Sequence, residues 1–181
     1  ADNPQTPEKV ALGKKLFDDK RFSSTGQVSC ATCHDEKKAF TDSPLRTSEG
    51  IKKGGKALTG TRNAPTVVNS AYFDVQFWDG RSPSLEDQSQ HPFINPVEMG
   101  LKDHQPILKI VRSDPAYVKA FEQVFGKKGA QVTMKEVQQA IGAFERTQVS
   151  GNSPFDRHFY GGESGALTDA QKRGFDLYVN K

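Results

Sequence analysis

Cys30-Ala31-Thr32-Cys33-His34 constrains this chain more than any other segment, because two thiols three residues apart with a histidine directly after them have few chemical uses. C-x-x-C-H is the attachment signature of a c-type haem: the thiols form thioethers to the porphyrin edge and the histidine becomes the proximal iron ligand. Cys30 and Cys33 are the only cysteines among 181 residues, so no thiol remains for a disulfide. A zinc half-site needs two further thiols or well-spaced histidines, and His91, His104 and His158 form no such pair. A thioredoxin-like redox pair expects a βαβ surrounding, which the pattern does not offer. Neither rival gives a role to the histidine after the second cysteine.

Haem attachment also bounds the compartment. Covalent haem is added outside the cytoplasm, where a lone C-x-x-C pair otherwise tends to oxidise. The chain opens Ala1-Asp2-Asn3-Pro4 with no basic n-region and no apolar run, so a signal peptide is expected to have been removed already. No stretch approaches the roughly 20 apolar residues of a membrane span. The expectation is a periplasmic protein without a membrane span. The hydrophobic share is 34%, and even with 16 glycines it stays under the usual apolar share of about 45–50%. A buried porphyrin supplies apolar surface that the side chains lack. The formal charge is +3, which two haem propionates bring to about +1, and no basic stripe with interleaved aromatics argues for nucleic acid.

The chain reads as an all-α, cytochrome-c-like helical domain around one covalent haem, with long irregular loops, over residues 1–181. Pro7 opens a first helix to about Asp19, with Val10, Leu12, Leu16 and Phe17 on its apolar side. From Lys37 to Gln76 the chain is rich in Gly, Lys, Thr, Asn and Pro, has no helical periodicity and predicts a loop. Ser82-Pro83-Ser84-Leu85-Glu86 predicts a capped helix start with proline at its first position. Pro106–Ser113 and Pro115–Phe125 predict two short helices broken at a proline. Thr133-x-x-Glu136 is a capping box leading a helix to about Val149, and Thr168 opens the last helix. No strand and no internal repeat is expected.

Iron alone does not name the activity, since the other haem face decides between electron transfer, gas binding and peroxide activation. The candidates for a sixth ligand are Met99, Met134, the three remaining histidines and the loop lysines. Met134 lies in a helix start and reads as packing. Glu98 precedes Met99 in the turn-rich segment Asn95-Pro96-Val97-Glu98-Met99-Gly100, which can project a carboxyl group into a pocket. On this chemistry, electron carrier and peroxidase are both open.

Several motifs in order resemble the bacterial di-haem cytochrome c peroxidases and their relatives. They are Leu12-Gly13-Lys14-Lys15-Leu16-Phe17, Ser29 through His34, Thr61-Arg62-Asn63-Ala64-Pro65-Thr66 and Gln76-Phe77-Trp78-Asp79-Gly80-Arg81. Asn95 through Met99, Ala143-Phe144-Glu145-Arg146-Thr147 and Asn152-Ser153-Pro154-Phe155-Asp156-Arg157 continue the series. The resemblance implies a peroxidatic haem with His34 proximal, Glu98 as distal acid-base group, and Gln88 orienting the bound peroxide. It implies that Trp78 lies between two haems as an electron route, and that Asn63 contributes to a calcium ion shared with a second haem domain. The reaction implied is reduction of hydrogen peroxide to water, with electrons from a small c-type cytochrome or cupredoxin. Relatives of this kind often form homodimers.

Two departures from the family pattern carry weight. Activation-dependent members rest with a histidine from the loop after the haem motif on the distal iron face, and here no histidine occurs between His34 and His91. The haem is therefore expected to be five-coordinate or water-bound when oxidised, with a lysine of that loop as the rival ligand. The family also continues with a second C-x-x-C-H, whereas this chain stops at Lys181. The expectation is the N-terminal part of a longer two-haem enzyme, its last helix leading into the missing domain. The alternatives are a mono-haem electron-transfer cytochrome and a di-haem relative that oxidises a protein substrate.

Overall fold

The computed structural model describes residues 3–181, which divide into two compact units, one through Val149 and one from Ser150 to Lys181. The first unit is built on a helix pair. Helix α1 (Pro7–Asp18) begins as Thr6 accepts a hydrogen bond from the Lys9 N–H, with Pro7 in the first turn. Helix α6 (Met134–Glu145) starts at the capping box of Thr133 and Glu136. Leu12, Leu16 and Phe17 of α1 meet Val137, Ala140, Ile141 and Phe144 of α6 in one core. Gly13 makes the approach close: a Cβ there would lie 1.9 Å from the Ala140 carbonyl oxygen.

Helix α2 is the single turn Cys30–Cys33, and α3 (Leu85–Ile94) also packs on α6. Helices α4 (Gln105–Ser113) and α5 (Pro115–Phe125) bury Ile107, Val111, Tyr117 and Phe121 beneath α1 and the turn at Phe22. Two expected boundaries move. Helix α3 starts at Leu85 because the Ser84 hydroxyl accepts from the Asp87 N–H at 3.1 Å, so Ser84 is the cap and Pro83 lies outside the helix. Helix α6 ends at Glu145 rather than near Val149, since the Gln148 carbonyl turns away to accept the Asn69 N–H at 2.9 Å.

The larger correction lies in the segment expected to be loop throughout. Strands β1 (Glu49–Lys53) and β2 (Lys56–Thr59) form an antiparallel hairpin closed by Gly54 and Gly55, both at positive φ. A two-residue turn with positive φ at both positions is what glycine pairs favour. The strands escape a pattern search because they are short and four of their nine residues are lysine or glycine, poor in strand propensity. The fold remains helix-dominated, as expected. No helix among the described residues is long and apolar enough to cross a membrane.

The second unit holds α7 (Pro154–Phe159) and α8 (Asp169–Asn180), opened by the capping boxes Ser153/Asp156 and Thr168/Gln171. Phe159 and Phe175 pack with ring centroids 4.7 Å apart, and Phe155 lies 5.3 Å from Phe175.

Candidate haem-binding cavity

The one-turn α2 places Cys30 and Cys33 on one side of the helix, as i,i+3 spacing requires. Thr32 steadies that turn: its hydroxyl accepts the Ser29 N–H at 2.9 Å, and the His34 N–H closes on the Cys30 carbonyl at 3.0 Å. Both cysteines are free thiols. Burial, with the nearby Glu145 carboxyl, pushes the Cys30 thiol well above its usual range, and burial pushes Cys33 up to about 11.

His34 is fixed from behind. Its Nδ1 lies 3.0 Å from the Phe40 carbonyl, the kind of second contact that sets the tautomer and leaves Nε2 for a metal. Ala39 and Phe40 hold φ values of 53° and 57°, unusual for residues with side chains, and this bent backbone aims the Phe40 carbonyl at the ring. Burial lowers the imidazole pKa, opposed by the Phe40 carbonyl and by Asp42, which favours the neutral, ligating form.

A cavity of about 490 Å³ opens beside these groups. Cys33, His34, Asn63, Trp78, Gln88 and Glu98 all line it, and Cys30 lines a narrower recess shared with Cys33, His34, Gln88 and Glu98. Seven residues spread over 69 positions of sequence thus converge on one space. Glu98 sits in a tight turn in which its N–H meets the Asn95 carbonyl at 3.2 Å and its Oε1 accepts from Asn95 Nδ2 at 2.7 Å. Burial raises the Glu98 carboxyl above its ordinary pKa, partly offset by the Arg81 guanidinium. Gln88 comes from the middle of α3.

Trp78 lies at the rim, 65% exposed, its Nε1 donating to the Asn63 carbonyl at 2.8 Å. Phe77 before it adopts φ 67° and is covered by the Arg81 guanidinium 3.4 Å from the ring centre. The Asn63 amide nitrogen donates to the Leu45 carbonyl at 2.9 Å, so Oδ1 is the oxygen it has to offer a cation. Among the described residues no group of three or more His, Cys, Asp or Glu side chains is arranged to hold a metal ion.

Three features of the cavity carry no role in the sequence reading. Arg62 and Arg81 line it and are tied together by Asp79, whose carboxyl they hold down at about pKa 2. Glu145 lines both the main cavity and the recess. The hairpin docks on the Glu98 turn. The arginines stand in motifs quoted above, so their charge was visible; the direction of Glu145 at a helix end was not. Met99 is 2% exposed in the core and borders the recess, and Met134 packs against the core. His91 contacts Asp87 and Phe77, His104 the Gln90 carbonyl, and His158 the Glu163 carbonyl. The hairpin lysines Lys52, Lys53 and Lys56 are exposed and none lines the cavity.

The residues present fit a covalently held haem. Two thiols held neutral by burial precede an imidazole whose neutral form is favoured, a partly open space of ligand-binding size faces them, and the Arg62 and Arg81 guanidinium groups, shared with Asp79, would give it positive charge for propionates. Comparison with known proteins agrees. A profile of the family described as di-haem cytochrome c peroxidase matches residues 7–164. The methylamine utilization protein MauG of Methylorubrum extorquens is 40% identical over 179 residues, covering 99% of this chain and 48% of that protein. The cytochrome c peroxidase Ccp of Escherichia coli is 40% identical over 177 residues, covering 97% of this chain and 36% of that protein. A solved MauG-like protein associated with microbial copper homeostasis superposes with a TM-score of 0.83 at 34% identity, over 98% of this chain and 50% of its own. The chain thus spans half or less of the length of these relatives. With the attachment motif, the buried carboxyl and the ordered matches in agreement, this chain belongs to the di-haem cytochrome c peroxidase family.

Proposed function

We propose that this chain is the peroxidatic haem domain of a longer two-haem enzyme that reduces hydrogen peroxide to water. The observation that carries the reading is the placement of Glu98: a carboxyl raised by burial, in the same cavity as Cys33, His34 and Gln88. One haem, held by Cys30 and Cys33 and ligated by His34, would supply two-electron chemistry at an open iron position. Glu98 takes a proton from one peroxide oxygen and returns it to the other, so that the departing oxygen leaves as water. Gln88 offers an amide donor and acceptor to orient the peroxide. Arg62 and Arg81 balance the propionate charge. Two electrons and two protons complete the conversion of hydrogen peroxide to two waters.

Electrons come from a small c-type cytochrome or cupredoxin, through a second haem domain and past Trp78 at the rim. Asn63 Oδ1 gives this half's ligand to a calcium ion completed by that domain. The setting is the periplasm, and α8 leads on toward the second domain. The absence of a histidine in the segment 35–90 and the outward course of the hairpin lysines support an open resting iron. A low-spin ferric spectrum at neutral pH overturns that part of the reading.

The test is Glu98→Gln in the haem-loaded protein. Haem attachment should persist while the reaction with peroxide slows about 10²- to 10⁴-fold, the range for loss of a general acid-base group. Unchanged peroxide reactivity removes Glu98 from this role. A second reading, oxidation of a protein substrate by the same haem pair, is supported by the 40% identity to a methylamine utilization protein. Steady peroxide turnover in the two-haem protein, with a small c-type cytochrome as sole reductant, favours the first.

A further inference from the structure

Glu145, the last residue of α6, is 6% exposed and borders both parts of the cavity. Its Oε2 is buried with no hydrogen-bond partner among the described residues. The other buried glutamate is different: Glu136 is held by Lys127 and Thr133. Glu86 of α3, close to Glu145, is paired with Arg146, whose Nη2 lies 2.8 Å from Oε2, and accepts a hydrogen bond from Asn3. A carboxyl so placed is poorly able to ionise by itself, and its protonation responds to any charge that changes nearby.

The charges that face it are few. Helix α3 presents Glu86, which raises the carboxyl, and α6 presents Arg146, which lowers it. Helix α2 presents Cys30, converted to a thioether on haem attachment, with Cys33 and His34 along the same recess. The 95–100 turn presents Glu98. Helix α1 brings the Lys14 ammonium over the ring of the neighbouring Phe144, and its Asp18, paired with Lys14, acts on Cys30. The carboxylate that acts on the His34 ring is Asp42, not Glu145.

We propose that Glu145 takes up a proton when a haem attached at Cys30 and Cys33 accepts an electron, so that electron entry at this centre is proton-coupled. An external one-electron reductant gives the electron to the iron, solvent gives the proton to the Glu145 carboxylate, and the charge of the cavity is unchanged by the pair. The driving force is electrostatic: one added negative charge in a low-dielectric space favours neutralising the unpaired anion beside it. Linkage makes the effect reciprocal, so protonation of Glu145 in turn favours the reduced haem. The inference rests on haem attachment and not on peroxide chemistry.

The test is the midpoint potential of the haem-loaded chain across the neutral and alkaline range. Before haem is attached, burial pushes Glu145 up to about 8, which puts the expected bend in the alkaline half of that range. The potential should be flat at neutral pH and fall above it, approaching a tenfold change in equilibrium per pH unit, about 59 mV for a one-electron couple. Glu145→Gln should abolish the slope, and Glu145→Asp should restore it in a displaced pH window. An unchanged slope in Glu145→Gln, its loss in Glu98→Gln with Glu145→Gln still sloping, or a flat wild-type profile overturns the proposal. If Glu145→Gln fails to hold haem, Glu145→Asp carries the decision, and a slope in the wild-type window overturns it. A redox-difference infrared spectrum adds a direct reading: reduction on the alkaline side should create a protonated-carboxyl stretch, and none appearing is contrary.

Discussion

The Ile51 N–H donates to the Glu98 carbonyl at 2.9 Å, which fastens the β1–β2 hairpin to the turn that carries the candidate acid-base group. Gly50 lets the two backbones close: a Cβ on it would lie 1.9 Å from the Val97 carbonyl oxygen and 2.7 Å from the Glu98 Cα. On the far side Gly100, at φ 70°, receives the Ile51 side chain, where a Cβ would meet its Cδ1 at 2.4 Å. Gly50→Ala therefore cannot be accommodated without moving the hairpin or the Glu98 turn. Misplacing a reacting group by about 1 Å can cost about a hundredfold in rate. The expected outcome is a peroxide reaction slowed by about that factor with haem still attached, measured by stopped-flow absorption. Gly151→Ala, with nothing within 4 Å of the new Cβ and no positive φ to strain, serves as the control. Wild-type rates in Gly50→Ala would show that this contact does not hold Glu98.

Gly13→Ala tests the helix crossing on which the cavity is built. The new Cβ would lie 1.9 Å from the Ala140 carbonyl oxygen and 2.8 Å from the Phe144 Cβ, all rigid backbone or branch points. Overpacking of this kind costs about 1–3 kcal/mol or more. For a chain of this size that lowers Tm by roughly 2–4 °C per kcal/mol. Thermal unfolding followed by far-UV circular dichroism decides it, and an unchanged Tm would mean that α1 and α6 slide apart freely.

The helices around Leu16 and Ile141 were legible because each rests on local periodicity and capping, and the attachment motif with its ordered series of neighbours pointed to residues that border one cavity. The hairpin was not, since Glu49–Thr59 gains its order from docking on Val97 and Glu98, which no local pattern of lysine and glycine encodes. The end of α6 was misjudged for a similar reason: Gln148 bonds to Asn69, a partner 79 positions away. Glu145 looked like any glutamate on a helix, and only the packing of α6 over the recess shows that it faces inward. Long-range contacts, then, account for what the sequence left unread.

Tyr117→Phe probes the support beneath α1. The Tyr117 ring is fully buried, and its hydroxyl donates to Asp19 Oδ2 at 2.8 Å, beside the Arg21 pair to Asp19 and Asp114. Burial acts to raise the Asp19 carboxyl, but the bonds from Arg21 and Tyr117 together outweigh it and hold its pKa below the usual value. Deleting the hydroxyl removes a hydrogen bond to a charged group, worth about 1.5–3 kcal/mol. Because Asp19 is depressed in the folded state, its contribution is present above the unfolded carboxyl pKa and is lost as pH falls through the folded one. The stability gap between wild type and Tyr117→Phe should therefore narrow in acid. Urea unfolding at neutral and acidic pH measures it, and a gap independent of pH removes Asp19 from the account.

The reaction with peroxide should carry the titration of Glu98. As the base that receives the first proton, Glu98 must be ionised, so the rate rises as pH climbs through its pKa and then levels. Burial is the larger influence on that carboxyl and raises it, moving the rising limb to higher pH than a free glutamate would give; the Arg81 charge pulls the other way. Arg81→Gln removes the opposing charge and should move the limb to higher pH, while Glu98→Gln should erase the limb and lower the plateau. The order of the limbs is the decisive measurement, because a general loss of folding lowers rates at every pH and does not displace a titration. A limb that stays in place in Arg81→Gln would mean that the guanidinium does not act on Glu98, and a limb that survives Glu98→Gln would assign the proton transfer to another group.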